Sequence, residues 1–101
     1  GLPIAPIVEN LDRKILAEVE NGGTLEMDDW HTCETTHCLA GWAIHLAGDA
    51  GYDLERRTSS FLAGKLIFEA SCPDIPLPDF FASNEDALAG LKERVVGAAQ
   101  M

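Results

Sequence analysis

The sequence predicts an all-α fold, a single small domain over residues 1–101 with about four helices in an irregular bundle. Three observations carry that prediction. Apolar residues recur at helical spacing in separate stretches, most plainly Val8, Leu11, Ile15 and Val19. Helix-start and helix-stop residues bracket those stretches, at Asn21-Gly22-Gly23, Thr58-Ser59, Cys72-Pro73 and Ser83-Asn84-Glu85-Asp86. No run alternates with the period of two that a half-buried strand requires.

Residues 1–6 carry Pro3 and Pro6 and are not expected to be regular helix. The first helix is predicted over about residues 7–20, with Glu9, Asp12, Arg13 and Glu20 off the apolar row and glycines 22 and 23 ending it. Residues 24–34 read as a connection anchored by Leu25, Met27 and Trp30, with a turn at Asp28-Asp29. Thr35 or Thr36 is the expected cap of a second helix running to about Ala47, with Leu39, Trp42, Ala43 and Leu46 as its apolar stripe and Gly48 and Gly51 closing it. Asp53–Arg57 reads as a short turn. A third helix is predicted over about residues 59–71, with Leu62 and Leu66 on one row and Phe61, Lys65 and Phe68 on the next. The segment 73–82 interleaves Pro73, Pro76 and Pro78 with Ile75, Leu77, Phe80 and Phe81. That is too apolar for a free linker, so an ordered loop across the core is expected, with a partner-contact patch as its functional alternative. The fourth helix is predicted over about 84–99, with Leu88, Leu91 and Val95 facing inward.

Composition limits the function classes. A hydrophobic fraction of 47% supports a packed core. Seventeen acidic against seven basic residues give a net charge of −10. That charge repels phosphate, so neither nucleic acid nor an anionic membrane is an expected partner; a cationic partner or a metal ion is attracted, and a solvated acidic surface is the plainer reading of the same charge. No apolar run approaches the roughly 18–20 residues that a membrane span needs. The start lacks a basic segment followed by an apolar one, and Gly1 reads as the scar of a cleaved tag. Three cysteines are too few for a disulfide scaffold, so a reducing cytoplasm is expected.

Chemistry concentrates in Trp30-His31-Thr32-Cys33-Glu34-Thr35-Thr36-His37-Cys38-Leu39-Ala40-Gly41-Trp42. This stretch holds two of the three cysteines, two of the three histidines and both tryptophans. Three chemical readings fit it. His31, Cys33, His37 and Cys38 carry zinc-compatible atoms, although all four lie in one short segment and adjacent helical residues point about 100° apart. Cys33 and Cys38 form a candidate redox pair, with Cys38 in the first turn of the second helix, where free amides favour a thiolate. Cys38 is also a candidate nucleophile, with His37 as base, for hydrolysis or acyl transfer. The packing alternative accounts for every residue type. Cysteine packs as a small hydrophobe, the tryptophans plug the core, Thr35 and Thr36 cap the helix, and Ala40 and Gly41 admit a close neighbouring helix. It leaves only the density of the cluster unexplained. His45 lies two turns beyond His37, close enough to approach it but not to share a tight coordination sphere; it reads as partly exposed or hydrogen-bonded. Cys72 reads as a half-buried helix end. No D-x-D-x-D-G loop is present, so calcium is not expected.

The string Trp30-His31-Thr32-Cys33, followed by Thr35-Thr36-His37-Cys38 and Ala40-Gly41-Trp42, resembles a motif of small uncharacterised bacterial and phage proteins. The resemblance extends through Leu46-Ala47-Gly48 and Pro78-Asp79-Phe80-Phe81, with Asn84-Glu85 and Ala87-Leu88. Such segments sometimes accompany pentapeptide repeats, which this chain lacks, and Glu34 stands here where related strings have Gly. The resemblance implies no activity and no site residue. The expectation from the residues is a non-enzymatic cytoplasmic module that works through a protein partner, with Cys33 and Cys38 as a candidate redox- or metal-sensitive element and no obligatory cofactor. The alternative is a small thiol-dependent enzyme built on Cys38.

Overall fold

The computed structural model describes the backbone of residues 5–27, 31–33 and 36–100, and the side chains of residues 5–27 and 37–96. Among them are five helices: α1 Leu11–Glu20, α2 Leu39–Leu46, α3 Asp49–Arg57, α4 Ser60–Ser71 and α5 Asn84–Gln100. Three short strands, β1 Thr24–Leu25, β2 His31–Cys33 and β3 Thr36–His37, join in the order β1-β3-β2. The helices pack against one another as a compact all-α unit, as predicted.

The central element is α2. Every residue from Leu39 to Ile44 is buried, which is the pattern of a helix covered on all sides. Its closest neighbour is α4. A Cβ built at Gly64 meets the Ala40 Cβ at 2.4 Å and the Ala40 Cα at 2.6 Å, so only glycine allows the two backbones to approach this closely. The expectation that Ala40 admits a near helix is met from α4. Val8, Leu11 and Ile15 of the first segment, Leu54 of α3, and Ala87 and Leu91 of α5 belong to the same core cluster as the buried residues of α2.

The differences from the predicted elements have local causes. The first helix begins at Leu11 because Asn10 adopts a left-handed conformation (φ 56°), which interrupts a helical chain; asparagine tolerates it better than most residues. Val8 is nonetheless buried, with its N–H donating to Ser71 Oγ at 2.9 Å. The segment read as a turn at 53–57 is the helix α3. Gly48 stops α2 with φ 69°, but Gly51 sits inside α3 and stops nothing. A Cβ there would lie 2.2 Å from the Ile44 carbonyl oxygen, so this glycine serves close approach to α2. The strands escape the period-two criterion because they hold only two or three residues each. In α4 the buried face is Ala63, Gly64, Ile67 and Phe68, not the Leu62/Leu66 row. Apolar residues fall on every side of that helix, so its periodicity does not select a face.

The capping signals at Ser59 and Ser83 hold. Ser59 Oγ accepts from the Leu62 N–H at 3.1 Å, and Ser83 Oγ accepts from the Asp86 N–H at 3.2 Å. Thr58 instead ends α3, its hydroxyl donating to the Leu54 carbonyl at 2.7 Å. The Asp28-Asp29 turn and the Trp30 anchor lie outside the described residues, as do Thr35 and the side chain of Thr36.

Candidate functional sites

The second helix starts later than predicted, at Leu39, and the residue that caps it is Cys38 itself. Its backbone is extended (φ −75°, ψ 178°), and its Sγ accepts from the Gly41 N–H at 3.3 Å. Thr36 belongs to β3 and does not cap this helix. The strand arises because the β3 backbone is claimed from both sides. It pairs parallel with β1, Thr24 opposite Thr36 and Leu25 opposite His37, and antiparallel with β2, His31 opposite His37 and Cys33 opposite Thr36.

That placement reverses the expected electrostatics of Cys38. The thiol is only 3% exposed. Burial pushes its pKa up, and the hydrogen bonds from the Gly41 and Ala40 amides only partly oppose this. The helix-start amides are present as predicted, yet they act on a desolvated thiol that stays protonated. A poised thiolate at Cys38 is therefore not what the structure shows, and the sulfur is already committed to its cap.

His37 is 1% exposed. Its ring stacks on His45 with centroids 4.8 Å apart and planes at 25°, and meets Trp42 edge-on at 4.7 Å. Trp42 meets His45 edge-on at 5.8 Å, and its Nε1–H donates to the Thr24 carbonyl at 3.0 Å. His45 Nδ1 shares a 2.8 Å hydrogen bond with the Tyr52 hydroxyl. His37 and Trp42 of the motif thus have a packing role, in an imidazole–indole–phenol cluster with His45 and Tyr52 that joins β3, α2 and α3. The expected approach of His45 to His37 is found, as is its hydrogen-bonded state. Tyr52 was missed: it reaches His45 only because Gly48 reverses the chain between α2 and α3.

Of the four predicted metal ligands, His37 and Cys38 are turned to these other tasks. The side chains of His31 and Cys33 lie outside the described residues, and with them the Cys33–Cys38 sulfur separation. Among the described residues no group of three or more His, Cys, Asp or Glu is placed to hold a metal ion. Cys38 and Cys72 are free thiols.

A second polar constellation has no local sequence signal. Asp12 is 4% exposed, although the helical pattern placed it off the core row. It accepts from Arg94 Nε at 2.8 Å and from the Cys72 thiol at 3.5 Å. Arg94 also donates through Nη1 to the Pro76 carbonyl and lies 5.3 Å over the Phe68 ring. Among the described residues its buried Nη2 has no acceptor. Burial, and then the charge of Asp12, pushes the Cys72 pKa up to about 11. Cys72 caps the end of α4, half-buried as expected. The group is an internal tie between α1, α4 and α5.

The 73–82 loop divides its two phenylalanines. Phe80 is 8% exposed and meets Phe68 and Phe61 edge-on at 5.6 and 5.7 Å. Phe81 is 78% exposed and stacks on Phe61 at 5.5 Å. An Asp79 carboxylate oxygen accepts from the Phe81 N–H at 2.9 Å and fixes the backbone there. Leu77 is also exposed, at 38%. Between this loop and α5 runs a groove lined by Ile75, Pro76, Pro78, Ala87, Gly90 and Leu91.

No protein family matches the chain, and no curated protein or solved structure is similar to it. No described helix is long and apolar enough to cross a membrane.

Proposed function

We propose that this protein is a non-enzymatic interaction module that binds a protein partner through the 75–82 loop and the adjoining face of α5. The observation that carries the reading is Phe81, a ring held in solvent at 78% exposure by its Asx turn and by stacking on Phe61. The fold does not need this ring, because Phe80 already fills the adjacent core position. An aromatic side chain fixed in place before binding loses little entropy when it docks, which is the character of an interface anchor. The neighbouring Leu77 extends the apolar surface. The cytoplasm suits the free thiols of Cys38 and Cys72.

The enzyme alternative has less support. A nucleophilic thiol needs access and thiolate character, and Cys38 is buried, capped to Gly41 and raised in pKa. A redox role for Cys38 meets the same obstacle.

Site-specific photo-crosslinking tests the interaction reading. A benzophenone side chain at position 81 is expected to capture a partner that the same group at exposed position 57 does not. Phe81→Ser should weaken that partner roughly 30-fold, the loss of about 2 kcal/mol of anchor contact, with melting unchanged. Identical captures from both positions would refute the assignment of this surface.

A further inference from the structure

We infer that the groove between the 75–82 loop and α5 receives a basic segment of the partner, an apolar side chain entering the slot while flanking lysines or arginines meet an acidic rim. This rests on the interaction reading and adds the chemistry of the occupant.

The slot is open, with apolar walls beneath charged edges. Pro76 and Pro78 form one wall and Ala87, Gly90 and Leu91 the other. A Cβ built at Gly90 finds no atom within 4 Å, so the space over this turn of α5 is free. The rim has one sign of charge. Asp79, Asp86 and Glu93 line the groove and are all exposed. The lining's one cation, Arg94, faces inward and is held by Asp12 and the Pro76 carbonyl. The proline wall offers no N–H at 76 and 78, so it has no backbone donor there for a carboxylate. A second copy of this chain brings another charge of −10 to the same rim and is disfavoured, as is nucleic acid.

The test uses the full chain, labelled with nitrogen-15 and titrated with three synthetic helical peptides. The first carries leucines at i and i+4 flanked by lysines. The second replaces every lysine by glutamate. The third keeps the lysines and replaces leucine by serine. The first peptide is expected to shift the amides of Ala82, Asp86, Gly90 and Glu93 saturably, with affinity falling as salt rises. The other two should leave them in place. Gly90→Trp fills the slot from an open position and should weaken the first peptide about tenfold or more. Glu93→Lys, which reverses one charge of the rim and leaves the apolar walls intact, should weaken it and relieve the exclusion of the glutamate peptide.

Equal binding of the glutamate peptide, shifts scattered over the acidic surface, or full affinity in Gly90→Trp would overturn the inference. Groove shifts that grow with protein concentration alone would assign the slot to a second copy instead. A partner captured from position 81 while the lysine peptide leaves the groove unmoved removes this inference and keeps the interaction reading. Loss of both removes both.

Discussion

The same substitution, glycine to alanine, is expected to have opposite signs at two helical positions. Within a helix interior the change gains about 0.5–1 kcal/mol, because glycine loses more backbone freedom on folding. At Gly90 nothing opposes that gain, since the new methyl meets no atom within 4 Å. At Gly64 the methyl lands 2.4 Å from the Ala40 Cβ and 2.6 Å from its Cα. Carbon atoms rest about 3.5–4.0 Å apart, so α2 and α4 must separate locally by roughly 1 Å. Overpacking of this kind costs about 1–3 kcal/mol, toward the upper end here because a backbone atom stands in the way. Subtracting the helix gain leaves Gly64→Ala destabilised by about 1–2 kcal/mol. For a chain of this size that lowers Tm by roughly 4–16 °C, whereas Gly90→Ala should raise it by roughly 2–8 °C. Thermal melts followed by circular dichroism, with urea melts to check that the slope m is unchanged, measure both. Ala40→Gly should relieve Gly64→Ala only in part, because the Ala40 Cα remains in the way, and a double-mutant cycle reads that coupling. A Gly64→Ala protein as stable as the parent would refute the α2–α4 contact on which the core is built.

Four further outcomes are expected. Trp42→Ala should cost about 3–5 kcal/mol in urea melts, since it removes a fully buried ring and leaves the Thr24 carbonyl without its donor; an unchanged melt would mean that α2 is misplaced. Asp12→Ala should cost about 3–5 kcal/mol by leaving the Arg94 cation buried, and joining it to Arg94→Met should recover part of the loss. For the thiols, the folded state holds the Cys72 proton up to a pKa of about 11 while the unfolded chain releases it near 9.0. Between those values the folded state binds more protons, so the contribution is fully present below pH 9 and is lost as pH rises toward 11. Cys72→Ala should flatten that alkaline decline relative to the parent, and native Cys38 should alkylate slowly at pH 8 until the chain is unfolded.

What the sequence made legible was what short-range chemistry controls. Serines 59 and 83 announce α4 and α5 because a cap is a contact between residues three apart. The apolar row of α1 is readable because the opposite face is charged. The α3 helix was hidden because a glycine has two uses, and Gly51, which serves close packing, looks the same in sequence as Gly48, which stops a helix. The start of α2 was hidden because threonine is the stronger cap by propensity, while pairing with β1 and β2 drew Thr36 into a strand and passed the cap to Cys38. The Asp12–Arg94 pair spans 82 positions, and no periodicity reports such a contact. In the candidate site, the Cys/His density was visible but its meaning depended on burial. The helix-start amides that favour a thiolate are there, and desolvation outweighs them.

That buried pair also bears on the groove. The Arg94 guanidinium is shared between Asp12 on α1 and the Pro76 carbonyl in the loop, so one side chain fixes both the core tie and one wall of the slot. Cys72, which bonds the other oxygen of Asp12, ends α4 where the loop departs. The loop is therefore held from both sides of the same carboxylate. Removing Asp12 releases its anchor at Cys72 and also the charge that aims Arg94. The groove and the interior of this protein then share a joint. The change should be read at the amides of Ala82 and Gly90 as well as in the melting temperature.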